Sequence, residues 1–300
     1  MSPSRSKTPT EPTGTARISA ADARCASAAL AEDVGAGDLT TAIVIEPDVL
    51  GRARVETRQD IVLAGTGVAR ATFQAVDPRV SCEILAADGA HLSSGSSILR
   101  VTGPCRAILT AERTALNFLQ RLSGIATLAS RAAACVAGTG VTLLDTRKTT
   151  PGLRRLEKAA VRAGGVCNHR NGLDDAVLIK DNHLACCESA ASAVVKARMK
   201  APGGIPIEVE IDSLDDLEAV IGAGADIVLL DNFTPAALRL AVQATRGRVL
   251  LEASGGITLE RLAEYASTGV DRISLGFLTH SAPAVDLSLV LAASKIDHAR

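Results

Sequence analysis

Arg147, Lys148, His169, Arg170 and Lys180 concentrate cationic donors in one stretch of the chain, and Glu210 and Asp231 follow as carboxylates. Arginine forks match planar carboxylates and phosphates, while lysine supplies a compact, mobile charge. Carboxylates set among phosphate-binding cations are the donor set that holds Mg²⁺ together with a diphosphate. The chemistry implied is the handling of a phosphorylated, polyanionic substrate with a divalent ion. Ser254-Gly255-Gly256-Ile257-Thr258 adds a place where phosphate can approach backbone N–H groups, with a helix expected to follow. With Gly276 and His280 on the next loop, phosphate binding accounts for these glycines better than a simple tight turn.

The elements that must position these groups show in the periodicity. Apolar strand-like runs occur at 142–147, 176–181, 205–211, 226–232, 249–254 and 272–276. Between them lie amphipathic stretches at roughly 151–163, 187–200, 213–222, 235–244 and 258–267. Regular alternation of this kind makes a parallel sheet. The runs end in or carry Asp145, Arg147 and Lys148; Lys180 and Asp181; Glu208 and Glu210; Asp231; Glu252 and Ser254; and Gly276 ahead of Thr279 and His280. In a parallel barrel, strand C-termini converge on one face, where active sites sit. A doubly wound nucleotide fold would carry its glycines after the first strand. Here Asp145-Thr146-Arg147-Lys148 stands there and the glycines come late, as in a β/α barrel; six strands make that barrel incomplete.

Ahead of it, 20–32 is helix-like, short β-rich runs at 52–56, 61–64, 80–85 and 97–101 form a meander, and 110–125 carries a helical apolar stripe. The expected fold class is therefore α/β, an incomplete α/β barrel behind an N-terminal α+β domain. Residues 1–18, rich in Ser, Thr and Pro, read as a disordered leader, followed by domains at 19–126 and 127–281. A net charge of −1 gives no basic field for nucleic acid or membrane, and one Tyr and four Phe offer few rings for stacking bases. No apolar run spans a bilayer, and the seven cysteines form no C-x-x-C pair or zinc-spaced cluster, so a cytoplasmic protein with reduced thiols is expected. Arg154, Lys158 and Arg162 share a helical face that reads as solvated. His91 and His298 read as surface residues, and His183 as a cap on its strand end.

Several long segments resemble the quinolinate phosphoribosyltransferase family. They are Glu112-Arg113-Thr114-Ala115-Leu116-Asn117, Thr146-Arg147-Lys148-Thr149-Thr150-Pro151-Gly152, Gly164-Gly165-Val166-Cys167-Asn168-His169-Arg170-Asn171-Gly172-Leu173, Leu178-Ile179-Lys180-Asp181-Asn182-His183, Glu208-Val209-Glu210, Leu230-Asp231-Asn232 and Gly276-Phe277-Leu278-Thr279-His280-Ser281. In order, the matches run from about residue 32 to residue 281. Ala253, Ala159 and Val166 depart from the usual pattern, and none of them replaces a charged site residue. The resemblance implies a sandwich-type first domain rejoined by 282–300, and a homodimer whose active site uses both subunits. It implies that Arg113, Thr146, Arg147, Lys148, His169, Arg170 and Lys180 bind quinolinate. Phosphoribosyl diphosphate is then contacted by Lys148, Lys180, Glu210, Asp231, Ser254, Gly255, Gly256, Leu275, Gly276, Phe277 and His280.

The resemblance also implies that Mg²⁺ is held by Glu210 and Asp231, directly or through water, and that Lys148, Glu210 and Asp231 carry the catalysis. The reaction implied is quinolinate plus 5-phosphoribosyl diphosphate giving nicotinate mononucleotide, diphosphate and CO₂, with Lys148 or His169 as candidate proton donors. A paralogue acting on another base is the alternative within the superfamily, but an enzyme for nicotinate would not need the cluster of Arg113, Arg147 and Arg170. A catalytically dead phosphosugar-binding protein would have lost Lys148, Glu210 or Asp231, and all three are present.

Overall fold

The structure, a computed structural model, describes residues 18–293. The expected leader, apart from Ile18, and His298 lie outside the described residues.

The first half begins with α1 (Ala20–Val34), capped by Ser19 Oγ on the Asp22 amide at 3.0 Å, and α2 (Leu39–Val44), capped by Asp38. Strands β1 (Leu50–Thr57), β3 (Ser81–Ile84) and β5 (Ser97–Pro104) form an antiparallel sheet with β12 (Leu287–Ala293) in the order β12-β1-β5-β3. The chain end thus returns to the first half, paired along β1 from Gly51 with Ala293 to Thr57 with Leu287. Burial alternates along β1, so Ala53, Val55 and Thr57 face inward. They meet α3 (Thr66–Val76) and the first part of α4 (Cys105–Cys135), where Phe73, Leu99, Ile108 and Leu119 close the core. Two short strands, β2 (Ile61–Val62) and β4 (His91–Leu92), pair beside them.

The periodicity predicts a helix over 110–125, but α4 runs for 31 residues and crosses the expected domain boundary at 126. Its early residues pack in the sandwich core and its later ones, Leu122, Ile125 and Ala129, in the barrel core. Gly124 does not break it. A Cβ there would come within 2.0 Å of the Pro283 carbonyl oxygen, so glycine is required for the returning chain to cross the helix.

The second half is a six-stranded parallel sheet in the order β6-β11-β10-β9-β8-β7. Its strands are β6 (Thr142–Leu144), β7 (Val177–Ile179), β8 (Ile207–Ile211), β9 (Ile227–Asp231), β10 (Leu250–Ser254) and β11 (Arg272–Ser274). The barrel is incomplete because β6 and β7 do not pair. Cys167 instead bridges to Leu144, with the Asp145 amide on the Cys167 carbonyl and the Cys167 amide on the Leu143 carbonyl, both at 3.1 Å. The connecting helices are α5 (Arg154–Ala163), α6 (Asp181–Leu184), α7 (Ala190–Lys200), α8 (Leu217–Gly222), α9 (Pro235–Thr245), α10 (Leu262–Ala266) and α11 (Phe277–His280). The helix expected at 258–267 shrinks to the five residues of α10, because the chain first turns through 259–261. Among the described residues no helix is long and apolar enough to cross a membrane.

Candidate active site

Strand register sorts the barrel residues onto two faces. Leu143, Ile179, Val209, Val228, Leu230, Leu251 and Ile273 point outward and pack with Leu156, Val194, Val220, Leu238 and Leu262 of the helices. The alternate residues line the lumen: Glu208, Glu210, Asp231, Glu252, Ser254, Arg272 and Ser274. The apolar runs are thus half core and half polar interior, a division set by the two-residue period.

At the strand C-termini the expected groups assemble. Lys180, following β7, forms an ion pair with Glu210 of β8. Asp231, at the end of β9, accepts from Asn232 Nδ2 at 2.6 Å. A cavity of about 450 Å³ beside them is lined by Thr146, Lys148, Ser254, Gly255, Gly256, Gly276, Phe277 and His280. Gly255 and Gly256 have φ of 90° and 58°, and a Cβ on Gly255 would lie 2.3 Å from Asn232 Oδ1. Only glycine fits that turn. At Gly276 a Cβ would press on His280 and on the Lys148 side chain at 3.1–3.2 Å, so Lys148 and His280 flank one loop. The expected helix dipole is replaced here by loop amides, since α10 starts six residues after Gly256 and is a single short turn. His183 caps its strand end as expected: its Nδ1 accepts the Lys180 N–H at 2.9 Å.

Two charges sit elsewhere than the sequence places them. Asp145 is on the outer side of β6, fully buried, and does not join the mouth. Lys158 is not solvated: at 1 % exposure it donates to Asp145 Oδ1 at 2.5 Å and to the His169 carbonyl at 2.9 Å. Asp145 also accepts from the His169 N–H at 2.8 Å and from Asn168 Nδ2 at 2.6 Å. It is the hub that ties α5 to the segment carrying His169 and Arg170. Burial disfavours both charges, raising the Asp145 pKa and lowering that of Lys158, and their mutual contact opposes this.

Below the mouth, His169 Nε2 lies 3.1 Å from Glu208 and 3.5 Å from Glu252, while Nδ1 accepts the Arg170 N–H at 2.7 Å. Burial disfavours a charged imidazole, but hydrogen bonds and charges from Glu208 and Glu252 outweigh it and push the pKa up to about 9. The Arg170 amide acts the other way, since an N–H aimed at Nδ1 needs a lone pair there. The geometry therefore gives the ring one proton, on Nε2. Arg170 donates to the Ala176 carbonyl at 3.1 Å, and its pKa is lowered by burial and by neighbouring Arg147. Two guanidiniums near enough for their charges to act on each other suit a dianion.

The comparisons with known proteins agree with this geometry. Residues 38–123 match the quinolinate phosphoribosyl transferase N-terminal domain, and residues 125–290 match the C-terminal domain. The chain belongs to the quinolinate phosphoribosyl transferase family. It is 44% identical over 258 residues, 86% of this chain and 89% of the relative, to a probable carboxylating nicotinate-nucleotide pyrophosphorylase of Bacillus subtilis. It is also 44% identical over 269 residues, 88% and 94% of the two chains, to the carboxylating nicotinate-nucleotide pyrophosphorylase of Mycobacterium leprae. The solved nicotinate-nucleotide pyrophosphorylase of Francisella tularensis superposes with a TM-score of 0.87 at 39% identity, covering 95% of this chain and 100% of that one.

Among the residues that the family resemblance names, Arg113 stands apart. It is exposed on α4 and has no hydrogen-bond or ion-pair partner among the described residues. The side chain of Leu275 is buried in the outer apolar core rather than lining the cavity, so only its backbone, whose N–H donates to the Leu144 carbonyl at 2.9 Å, borders the site. Sequence reasoning missed Glu157, fully buried, which pairs with Arg121 of α4 and accepts from Thr150 Oγ1 at 2.7 Å. It anchors the loop after Lys148. A charged residue on a helix beside another charged residue carries no pattern that marks it as buried.

Proposed function

We propose that this chain joins quinolinate to 5-phosphoribosyl diphosphate and releases diphosphate and CO₂, forming nicotinate mononucleotide for de novo NAD synthesis. The observation that carries this reading is the convergence, at the C-terminal ends of the parallel strands, of the Lys180–Glu210 ion pair, of Asp231 beside Ser254, and of the cavity lined by Lys148 and the Ser254-Gly255-Gly256 turn. Amides of the glycine turn, Lys148 and His280 take the phosphates of the sugar substrate. Arg147, Arg170 and Lys180 take the two carboxylates of quinolinate, which sets its ring nitrogen toward the anomeric carbon. Lys180 is paired with Glu210 in the free protein, so binding exchanges that partner for a substrate anion. As diphosphate departs, Lys148 offsets the charge that develops on it. Glu210 and Asp231 accept from the ribose hydroxyls and favour positive charge on the sugar.

The donor set fits Mg²⁺: two carboxylates on adjacent strands β8 and β9 match an ion that takes one or two protein carboxylates, waters and phosphate oxygens. When bound there, the ion would neutralise diphosphate charge.

The exposed, unpaired Arg113 supports a homodimer in which this side chain completes the partner's quinolinate site. We place the enzyme in the cytoplasm, where its anionic substrates would be made. The test supplies quinolinate, phosphoribosyl diphosphate and Mg²⁺ and measures CO₂ and mononucleotide together. Mixing inactive Arg113→Ala with inactive Lys148→Ala should restore part of the activity, since a mixed dimer contains one intact site. An Arg113→Ala enzyme with ordinary kinetics rejects the shared site, and mononucleotide formed without CO₂ rejects the substrate.

A further inference from the structure

Glu208 and Glu252 lie inside the barrel at 2 % and 0 % exposure, among the costliest places for a carboxylate, and the reaction as described uses neither. Both aim at one group. Glu208 accepts a hydrogen bond from His169 Nε2 at 3.1 Å, and Glu252 stands at 3.5 Å from the same nitrogen. Arg272, the first residue of β11 and in register with Glu252, brings a positive charge that acts on Glu208. The opposite ring nitrogen accepts the Arg170 N–H at 2.7 Å. Both nitrogens of His169 are thus engaged within the protein, and the ring has no free donor or acceptor to offer a substrate.

We infer that Glu208 and Glu252 are positioning residues of the quinolinate subsite. From inside the barrel they hold His169 by its Nε2 proton, and through Nδ1 that ring fixes the backbone of Arg170, and so its guanidinium, beside Arg147.

His169 accordingly acts through Arg170 and does not contribute the proton that follows decarboxylation. The donor atoms of His169, Glu208 and Glu252 lie within 4.8 Å of one another, a spacing that would also suit a metal ion. The Arg170 amide argues against that use. It occupies the Nδ1 lone pair, so the ring keeps its proton on Nε2 and has no lone pair to direct at an ion. The remaining oxygens, Glu208 Oε1 and both of Glu252, have no hydrogen-bond partner within the described residues. Glu208 is therefore the acceptor of the one N–H, and the Glu252 carboxylate at 3.5 Å favours the same ring orientation through its charge, so losing either loosens the ring.

The inference rests on the assignment of Arg147 and Arg170 to the quinolinate carboxylates, and the experiments separate the two. The protein has five histidines, so ¹⁵N-histidine labelling gives few ring signals, with His169 identified by its loss in His169→Gln. At pH 7.5 the wild-type His169 ring should be neutral with its proton on Nε2, and adding Zn²⁺ should leave it unchanged. A doubly protonated ring, a proton on Nδ1, or stoichiometric Zn²⁺ binding at His169 overturns the inference. In steady-state kinetics, Glu252→Gln and, independently, Glu208→Gln should raise the KM for quinolinate on the order of tenfold, because a displaced guanidinium misaligns the substrate. The KM for phosphoribosyl diphosphate should stay within about twofold in the same variants. Equal shifts in both constants, or none, refute the positioning role. Should neither variant fold, the wild-type ring spectrum still decides. Arg170→Lys tests the underlying assignment: an unchanged quinolinate KM there sinks the subsite while leaving the tautomer result standing.

Discussion

Replacing Lys158 with methionine keeps the length and most of the volume of the side chain and removes the charge that faces Asp145, along with the hydrogen bond to the His169 carbonyl. Asp145 is fully buried, so the variant leaves a carboxylate in the protein interior with no cation beside it. Breaking a buried pair in this way costs about 3–5 kcal/mol. Asn168 Nδ2 at 2.6 Å and the His169 N–H at 2.8 Å still donate to Asp145, which argues for the lower end, about 3 kcal/mol. Urea unfolding followed by circular dichroism measures the loss, with wild type, Lys158→Met, Asp145→Asn and the double variant in one cycle. The double variant should be more stable than the sum of the singles by about 2 kcal/mol, because neither charge is left alone. The pH dependence has a definite sign. Burial already raises the Asp145 pKa above its usual value, and removing Lys158 raises it further. An acid whose folded pKa is raised destabilises the fold above its unfolded pKa, so the deficit of Lys158→Met should shrink as the pH falls toward about 4. A loss below about 1 kcal/mol, or a deficit that stays constant from pH 8 to pH 5, would refute the argument. Because Asp145 also holds the His169 amide, the variant should weaken quinolinate binding even where it is folded.

Lys148→Ala should lower kcat by about 10²–10³-fold with an unchanged circular dichroism spectrum, since Lys148 sits against the Gly276 loop of the phosphate cavity; full turnover would reject its role. Gly255→Ala forces a Cβ to 2.3 Å from Asn232 Oδ1 at φ 90°. It should raise the KM for phosphoribosyl diphosphate more than about tenfold and destabilise by roughly 1–3 kcal/mol, and normal kinetics would show that the turn does not bind phosphate. Asp38 caps α2 on the Thr41 amide at 2.9 Å, and its contacts with Thr41 hold its carboxyl below the usual range. Asp38→Ala should cost about 1 kcal/mol at pH 7. Since a lowered folded pKa stabilises above the unfolded value, the difference should vanish as the pH falls through the folded pKa; a pH-independent difference would contradict it.

The alternation of apolar runs and amphipathic stretches was enough to read a parallel α/β barrel from the sequence, because backbone geometry ties side-chain direction to a fixed local period. Charged and glycine residues at the ends of Lys180, Glu210, Asp231 and Ser254-Gly255-Gly256 were legible for the same reason: strand direction alone sends them to one mouth. What depends on neighbours distant in sequence was not legible. Thr142–Leu144 is too short to reveal that Asp145 falls on its outer side, and a helix pattern with Arg154, Lys158 and Arg162 in step looks solvated until the helix is docked. Glu208 and Glu252 read as mouth residues, yet their register with Ile227 and Leu229 places them in the lumen under His169. α4 looked like part of one domain, whereas the return of 282–293 over Gly124 makes it the shared wall of two cores. Local sequence determines the conformational period and the chemistry available. Which buried charges meet is decided by packing, because a carboxylate acquires its partner only when elements tens of residues apart close around it.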